Sequence, residues 1–193
     1  PYTTLFRSGL RFQDADSPDN ALDYVVLAHA GSDQWHGGGV SRGGIFLQGE
    51  NNQLAISNST FRQNAQAAIV ADGSGTELTV ADSTFEDNET PIWAHANLLG
   101  GLSSLTFTDN DNAYIRTGLS SESVSNEQTW PAIGVPYRSS STITLDTTLT
   151  LAEGVTLMFE QGVGMQVIDE GRLTAVGSSE NPITLTGVEE QRG

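Results

Sequence analysis

The sequence predicts an all-β solenoid, in which a structural unit of about 24 residues is stacked on itself, and three observations predict it. The first is a column of isoleucines at intervals of 24, 23 and 23 residues: Ile45, Ile69, Ile92 and Ile115. The second is a column of asparagines that recurs every 24 residues: Asn64, Asn88 and Asn112. The third is apolar alternation over strand-length stretches. A repeat of roughly 20 to 50 residues is the signature of a solenoid or an array.

The strands are predicted where apolar residues alternate with polar ones over a few positions. In chain order the alternating groups are Leu54/Ile56, Leu78/Val80, Leu105/Phe107, Ile143/Leu145, Leu149/Leu151, Val155/Leu157/Phe159, Met165/Val167, Leu173/Ala175 and Ile183/Leu185. Turn-forming residues separate these groups, and no stretch has the periodicity of a long amphipathic helix. Almost the whole chain is therefore predicted as strand and turn.

A period near 24 residues suits a coil that circles once and lands one strand spacing, about 4.8 Å, above itself. Equivalent side chains then stack on one another. Isoleucines inside such a coil contribute roughly 1.5–3 kcal/mol each by burial. Equivalent asparagines at a turn can pass amide hydrogen bonds from coil to coil. Folding alone explains both columns.

The repeat resembles a known family. The segments Leu54–Asn64 (LAISNSTFRQN) and Leu149–Phe159 (LTLAEGVTLMF) are similar to coils of right-handed parallel β-helix proteins, secreted or on the cell surface of bacteria and archaea. The resemblance implies a right-handed parallel β-helix solenoid, an extracellular or cell-surface location, and a structural or adhesive role. It also leaves an alternative open, because the same scaffold carries polysaccharide lyases and glycoside hydrolases.

Four segments are predicted along the chain. Residues 1–8 resemble the translation of a sequencing adapter and are left out of the fold reasoning. Residues 9–118 are predicted to form β-helix coils, and residues 119–138, which are rich in serine and break the repeat, a connector. Residues 139–193 are predicted to form further coils of the same solenoid, truncated at the C-terminus. Neighbouring coils or domains of a longer chain are thus expected partners.

Composition excludes several classes of function. The chain has 24 acidic and eight basic residues, all of the latter arginine, which gives a net charge of -16. Such a charge argues against polyanions, and nucleic acid above all, because nucleic-acid recognition needs a basic footprint. No cysteine is present, so disulfides and thiolate chemistry are excluded. No apolar run reaches the roughly 20 residues of a membrane span.

Strand alternation predicts which side chains face outward. If the isoleucine column points inward, then Phe46, Val70, Trp93 and Arg116 point outward, and so do Gln48, Asp72 and His95. The candidate substrate-binding residues are Phe46, Asp72, Trp93, His95 and Arg116. Aromatic, acidic and basic groups on a solenoid face can bind a polysaccharide or cell-surface glycan. The alternative is that the aromatic strip packs beneath the Gly-rich loop 31–39 or the connector. Trp130, within the connector, is expected to pack against the solenoid, the other interpretation being an exposed platform for a sugar.

The enzyme alternative depends on paired carboxylates. Asp82 and Asp109 are assigned to corresponding positions one coil apart, which would give the separation that glycoside hydrolysis needs. Aspartate is also a common turn residue, so the pair has a purely structural explanation. His29, His36 and His95 are candidate bases for a lyase. Catalysis is therefore the second hypothesis.

No cofactor is expected, and Ca²⁺ is the main candidate metal ion for this turn-rich chain. The turn Thr108–Asn112 holds Asp109 and Asp111, whose carboxylates could bind Ca²⁺ as hard oxygen ligands. The turn lacks the glycine and distal glutamate of the familiar calcium loop, which favours a plain turn. A zinc site from Asp72, His36 and His95 would require the Gly-rich loop to fold over the sheet.

Overall fold

The computed structural model describes residues 9–31, 43–73, 75–119 and 121–188. The first four coils contain β1 (Leu10–Gln13), β2 (Ala21–Asp23), β3 (Val26–Ala28), β4 (Ile45–Gln48), β5 (Gln53–Ser57), β6 (Thr60–Arg62), β7 (Ile69–Ala71), β8 (Glu77–Ala81), β9 (Thr84–Glu86), β10 (Ile92–Ala94), β11 (Leu102–Ser103) and β12 (Thr106–Thr108). A short 3-10 helix, Ala96–Gly101, lies between β10 and β11.

The later coils contain β13 (Ile115–Thr117), β14 (Glu122–Val124), β15 (Gln128–Trp130), β16 (Tyr137–Ser139), β17 (Ile143–Leu145), β18 (Thr148–Leu151), β19 (Thr156–Phe159), β20 (Met165–Val167), β21 (Arg172–Ala175) and β22 (Thr184–Gly187). Residues 1–8, 189–193 and most of the Gly-rich loop with His36 lie outside the described residues. The expectations about an adapter, the chain end and that loop therefore stay predictions.

The strands confirm an all-β parallel solenoid with coils of about 24 residues. One sheet, which we call the front sheet, runs through every coil in the order β1-β4-β7-β10-β13-β16-β19-β22. Four lateral sheets complete the coils: β2-β5-β8-β11 and β3-β6-β9-β12 in the first run, then β14-β17-β20 and β15-β18-β21 in the second. Only the front sheet is continuous between the two runs.

The interior is a set of side-chain columns. Ile45, Ile69 and Ile92 are in register on neighbouring strands and fully buried, which confirms the inward isoleucine column. A phenylalanine column runs parallel to it, with ring centroids 5.0 Å apart between Phe61 and Phe85, and 5.5 Å between Phe85 and Phe107. Stacked rings of this kind add about 0.5–1.5 kcal/mol per pair to the burial of their area.

The asparagine ladder differs from the prediction in its third member. Asn64 Nδ2 donates to Asn88 Oδ1 at 2.9 Å, as expected. Asn88 Nδ2 then donates to Asn110 Oδ1 at 3.0 Å, whereas Asn112 donates to Thr90 Oγ1 instead. The prediction that Asn112 is the third residue of the ladder is wrong. The repeat between Asn88 and Asn110 is two residues shorter than 24.

The segment 119–138 belongs to the solenoid and does not interrupt it. It supplies β14, β15 and the start of β16, and these strands pair in parallel with β17, β18 and β19. Its polar sequence reflects its position, because the lateral sheets of the second run begin here with no strand beneath them. The ring of Trp130 is buried and lies 5.3 Å from that of Tyr137. The packing interpretation of Trp130 is therefore confirmed.

Candidate functional site

The outward row of the front sheet is the candidate site. Strand register aligns one outward residue from each coil: Arg11, Phe46, Val70, Trp93, Arg116, Arg138, Met158 and Thr186. Neighbours in this row are one strand spacing, about 4.8 Å, apart. Three of its eight residues are arginine and none is acidic, on a chain with 24 carboxylates.

Two neighbouring residues of this row, Phe46 and Val70, are apolar and buried. Phe46 is only 3% exposed, and Val70 is fully buried. The two pack with Ala67 in a cluster separate from the interior, and Trp93 and Leu119 pack against it. Phe46 therefore has a packing role in this structure and offers almost no surface to a ligand, as the alternative interpretation of the aromatic strip expects.

Trp93 and Arg116 form a stacked pair on the half-buried part of the row. The guanidinium carbon of Arg116 lies 4.1 Å from the centroid of the Trp93 ring. A cation at this distance from a tryptophan face is attracted by roughly 0.5–2 kcal/mol. The guanidinium covers one face of the indole, so that face is not available to stack a sugar. What the pair can present to a ligand is the guanidinium.

Two polar atoms of this pair have no partner. The Nε1 of Trp93 and the Nε of Arg116 are buried and make no hydrogen bond within the structure. Buried N–H groups without an acceptor are rare in native proteins, and each one calls for an explanation. Among the described residues Arg116 also has no ion-pair partner. These two atoms are buried, so what the pair offers a ligand is the partly exposed, positively charged guanidinium of Arg116.

Arg138 extends the site to the next strand, where it is the register partner of Arg116. Its guanidinium carbon lies 4.9 Å from the Tyr114 ring centroid, and its Nε and Nη2 both lie 3.1 Å from Glu160 Oε1. A shallow cleft of about 180 Å³ is lined by Arg138, Glu160, Gln161 and Val188. The sequence reasoning missed Arg138 because it was assigned to a connector; continuing the repeat by one coil would have found it.

His95 does not belong to the outward row. It is 2% exposed, its Nδ1 accepts a hydrogen bond from the Asn97 N–H, and its Nε2 lies 3.0 Å from the Ser121 carbonyl oxygen. Because Nδ1 accepts, the ring proton sits on Nε2 and donates to Ser121. His95 therefore offers no surface to a ligand, and because β10 ends at Ala94, strand alternation does not set the direction of its side chain. His95 caps the 3-10 helix.

Glu122 is a buried carboxylate near His95 that the sequence did not single out. Its Oε2 accepts from the Ala96 N–H at 2.6 Å and from Thr117 Oγ1 at 2.8 Å. Its Oε1 accepts from the N–H groups of Gly118 and Leu119 at 2.9 and 3.0 Å. A carboxylate with four donors is satisfied as a structural anion. It ties the 3-10 helix of the first run to the first coil of the second.

Asp82 and Asp109 lie at different corners of the coil. Asp82 follows β8 and is equivalent to Asn58 and Ser104, whereas Asp109 follows β12 and is equivalent to Gln63 and Asp87. The assignment to corresponding positions is therefore wrong. Both aspartates have φ near +50°, the left-handed conformation that aspartate tolerates at turns. Asp72, by contrast, is half-buried just beyond the end of β7.

The metal expectations gain no support from the described residues. No group of three or more histidine, cysteine, aspartate or glutamate side chains that could hold a metal ion occurs within them. Asp109 and Asp111 are exposed residues of one turn, and the Asp111 N–H donates to the Asn88 carbonyl. The zinc hypothesis needs His95, whose two ring nitrogens are already engaged. Nor does any helix among these residues have the length and apolarity to cross a membrane.

Fold and site together define the chain as an all-β parallel solenoid with an arginine-bearing outward face. Comparisons with protein-family models, with curated proteins and with solved structures give no match. The function of the chain is therefore inferred from the geometry of its own residues.

Proposed function

We propose that the chain is a structural or adhesive segment of an extracellular or cell-surface β-helix protein. We further propose that it contacts glycans through the part of its outward row that contains Trp93, Arg116 and Arg138. The observation that carries the proposal is the Trp93–Arg116 pair. It is half-buried, it lies on a regular sheet face, and it presents the guanidinium of Arg116, which has no ion-pair partner among the described residues. Glycan hydroxyl and carboxylate oxygens are acceptors of the kind that such a surface can bind.

The rest of the molecule supports a structural role. Side-chain columns of isoleucine, phenylalanine and asparagine run from coil to coil, and each coil contacts its neighbours through parallel strands. In such a solenoid the stability of each coil depends on the coils next to it. The scaffold is well suited to hold a binding row straight over several strand spacings.

Binding to immobilised acidic and neutral glycans, measured for the parent chain and for Trp93→Ala, tests the proposal. The substitution removes the ring that positions Arg116, and we expect affinity to fall about tenfold, or about 1.4 kcal/mol. Tyr24→Ala is the matched control, since Tyr24 is an aromatic residue, 80% exposed, on the first coil. If the parent binds no glycan, or if Trp93→Ala binds as well as the parent, the glycan proposal is wrong.

The enzyme alternative has no observation in its favour among the described residues. Asp82 and Asp109 are not paired, and His95 and Glu122 are buried and fully hydrogen-bonded. Incubation with the glycans that bind, followed by assays for new reducing ends and unsaturated uronates, separates a binder from an enzyme.

A further inference from the structure

Resting on the proposed function, we infer that the ligand is a carboxylate-bearing glycan and that the guanidinium groups of Arg116 and Arg138 form its carboxylate site. The two arginines are register partners on β13 and β16, so their side chains leave the front sheet one strand spacing, about 4.8 Å, apart. Two positive charges on neighbouring strands of one face can both contact an anion that docks between them, and the anion offsets their mutual repulsion.

Aromatic rings favour one orientation of each guanidinium group. Arg116 lies over Trp93 and Arg138 over Tyr114, at 4.1 and 4.9 Å from the ring centroids, and each ring attracts the cation that lies over its face. A planar guanidinium held in this way loses little further entropy when it binds a carboxylate through two parallel hydrogen bonds. The site is therefore organised before the ligand arrives.

Glu160 shows that a carboxylate fits at this place. Its Oε1 lies 3.1 Å from both the Nε and the Nη2 of Arg138, at the cleft that Gln161 and Val188 also line. Both side chains are partly exposed, 26% for Arg138 and 34% for Glu160, so solvent can reach the pair. Glu160 acts as an internal competitor, which a ligand carboxylate must displace from Arg138. Arg116 has no such competitor among the described residues.

The net charge of -16 opposes the approach of any anion, but short-range attraction decides the outcome. At physiological ionic strength charges beyond about 8 Å are largely screened. The outward row itself carries no carboxylate, and Glu160, which lies beside it, is paired with Arg138. The net negative charge therefore disfavours polyanions over the chain as a whole but not at this row.

Polygalacturonate and the same polymer with methyl-esterified carboxylates are the probes, because they differ only in the charge that the inference requires. We expect the parent to bind the free acid at least tenfold more tightly than the ester. Arg116→Gln should weaken binding of the free acid about tenfold. Glu160→Gln should tighten it severalfold, because it frees Arg138. Arg62→Gln, which removes one exposed arginine on β6 of a lateral sheet, is the control and should change nothing.

The outcomes separate this inference from the proposed function. If acid and ester bind equally and Glu160→Gln has no effect, the carboxylate site is wrong while glycan binding stands. If Trp93→Ala leaves binding of every glycan unchanged, the proposed function itself fails. Thermal unfolding of each variant shows whether it is folded. Should Arg116→Gln fail to fold, Glu160→Gln, which removes only a partly exposed carboxylate, still decides the question.

Discussion

Asn88 should be the most important polar residue of the coil stack, and Asn88→Ala tests this. Its Oδ1 accepts from the N–H and the Nδ2 of Asn64 at 3.1 and 2.9 Å. Its Nδ2 donates to the Phe61 carbonyl at 2.9 Å and to Asn110 Oδ1 at 3.0 Å. Each buried hydrogen bond contributes about 1 kcal/mol, and partners left without one cost more. We expect the free energy of unfolding to fall by about 4 kcal/mol.

The control is Asn112→Ala, which removes a single hydrogen bond to Thr90 and should cost about 1 kcal/mol. Urea unfolding followed by circular dichroism measures the loss in the free energy of unfolding for each variant, as the shift in midpoint multiplied by the m-value. Equal losses for the two variants would refute the ladder as the source of stability. A loss larger for Asn112 than for Asn88 would support the original prediction of the column.

Two further predictions concern buried groups in the second run. Burial raises the pKa of the Tyr137 phenol far above its usual value, and its hydroxyl donates to the Pro131 carbonyl. The contribution of Tyr137 to stability is complete below about pH 10 and is lost at higher pH. In an absorbance titration at alkaline pH, Tyr137 should therefore ionise only on unfolding. Glu122→Ala leaves four donors unpaired and should cost about 3–5 kcal/mol in thermal unfolding; exposed Glu127→Ala should cost almost nothing.

The sequence predicted the fold well because its columns depend on strand register. The isoleucines were correct, since an inward position in one coil is inward in the next. The errors occur where the coil length changes. A fixed spacing assigned the ladder to Asn112, whereas a shorter coil places it at Asn110. Matching the segment at Leu105 with the one at Leu78 aligned Asp82 with Asp109, although the two follow different strands of the coil.

The candidate site was harder to predict, for a different reason. Alternation gives a side-chain direction only while the strand continues, so it applies to Trp93 but not to His95, which is buried one residue after β10. It also cannot show that an outward side chain such as Phe46 is covered by packing. Stacking of Arg116 over Trp93 depends on side-chain conformation, which no sequence pattern specifies.

The lateral sheets are interrupted between the first and second runs of coils, and this affects how the molecule would bear an axial load. Between the fourth and fifth coils only the β10–β13 pairing of the front sheet continues, while the 3-10 helix and Glu122 bridge the lateral sides. Among the described residues, three pairs of strands join the other neighbouring coils, except at the end of the front sheet, where β22 is joined by β19 alone. Because a solenoid is held together by nearest-neighbour contacts, we expect the step between the fourth and fifth coils to be the weakest inside the stack under an axial load. The hydrogen bond from the Ala96 N–H to Glu122 opposes separation of the two runs at that step.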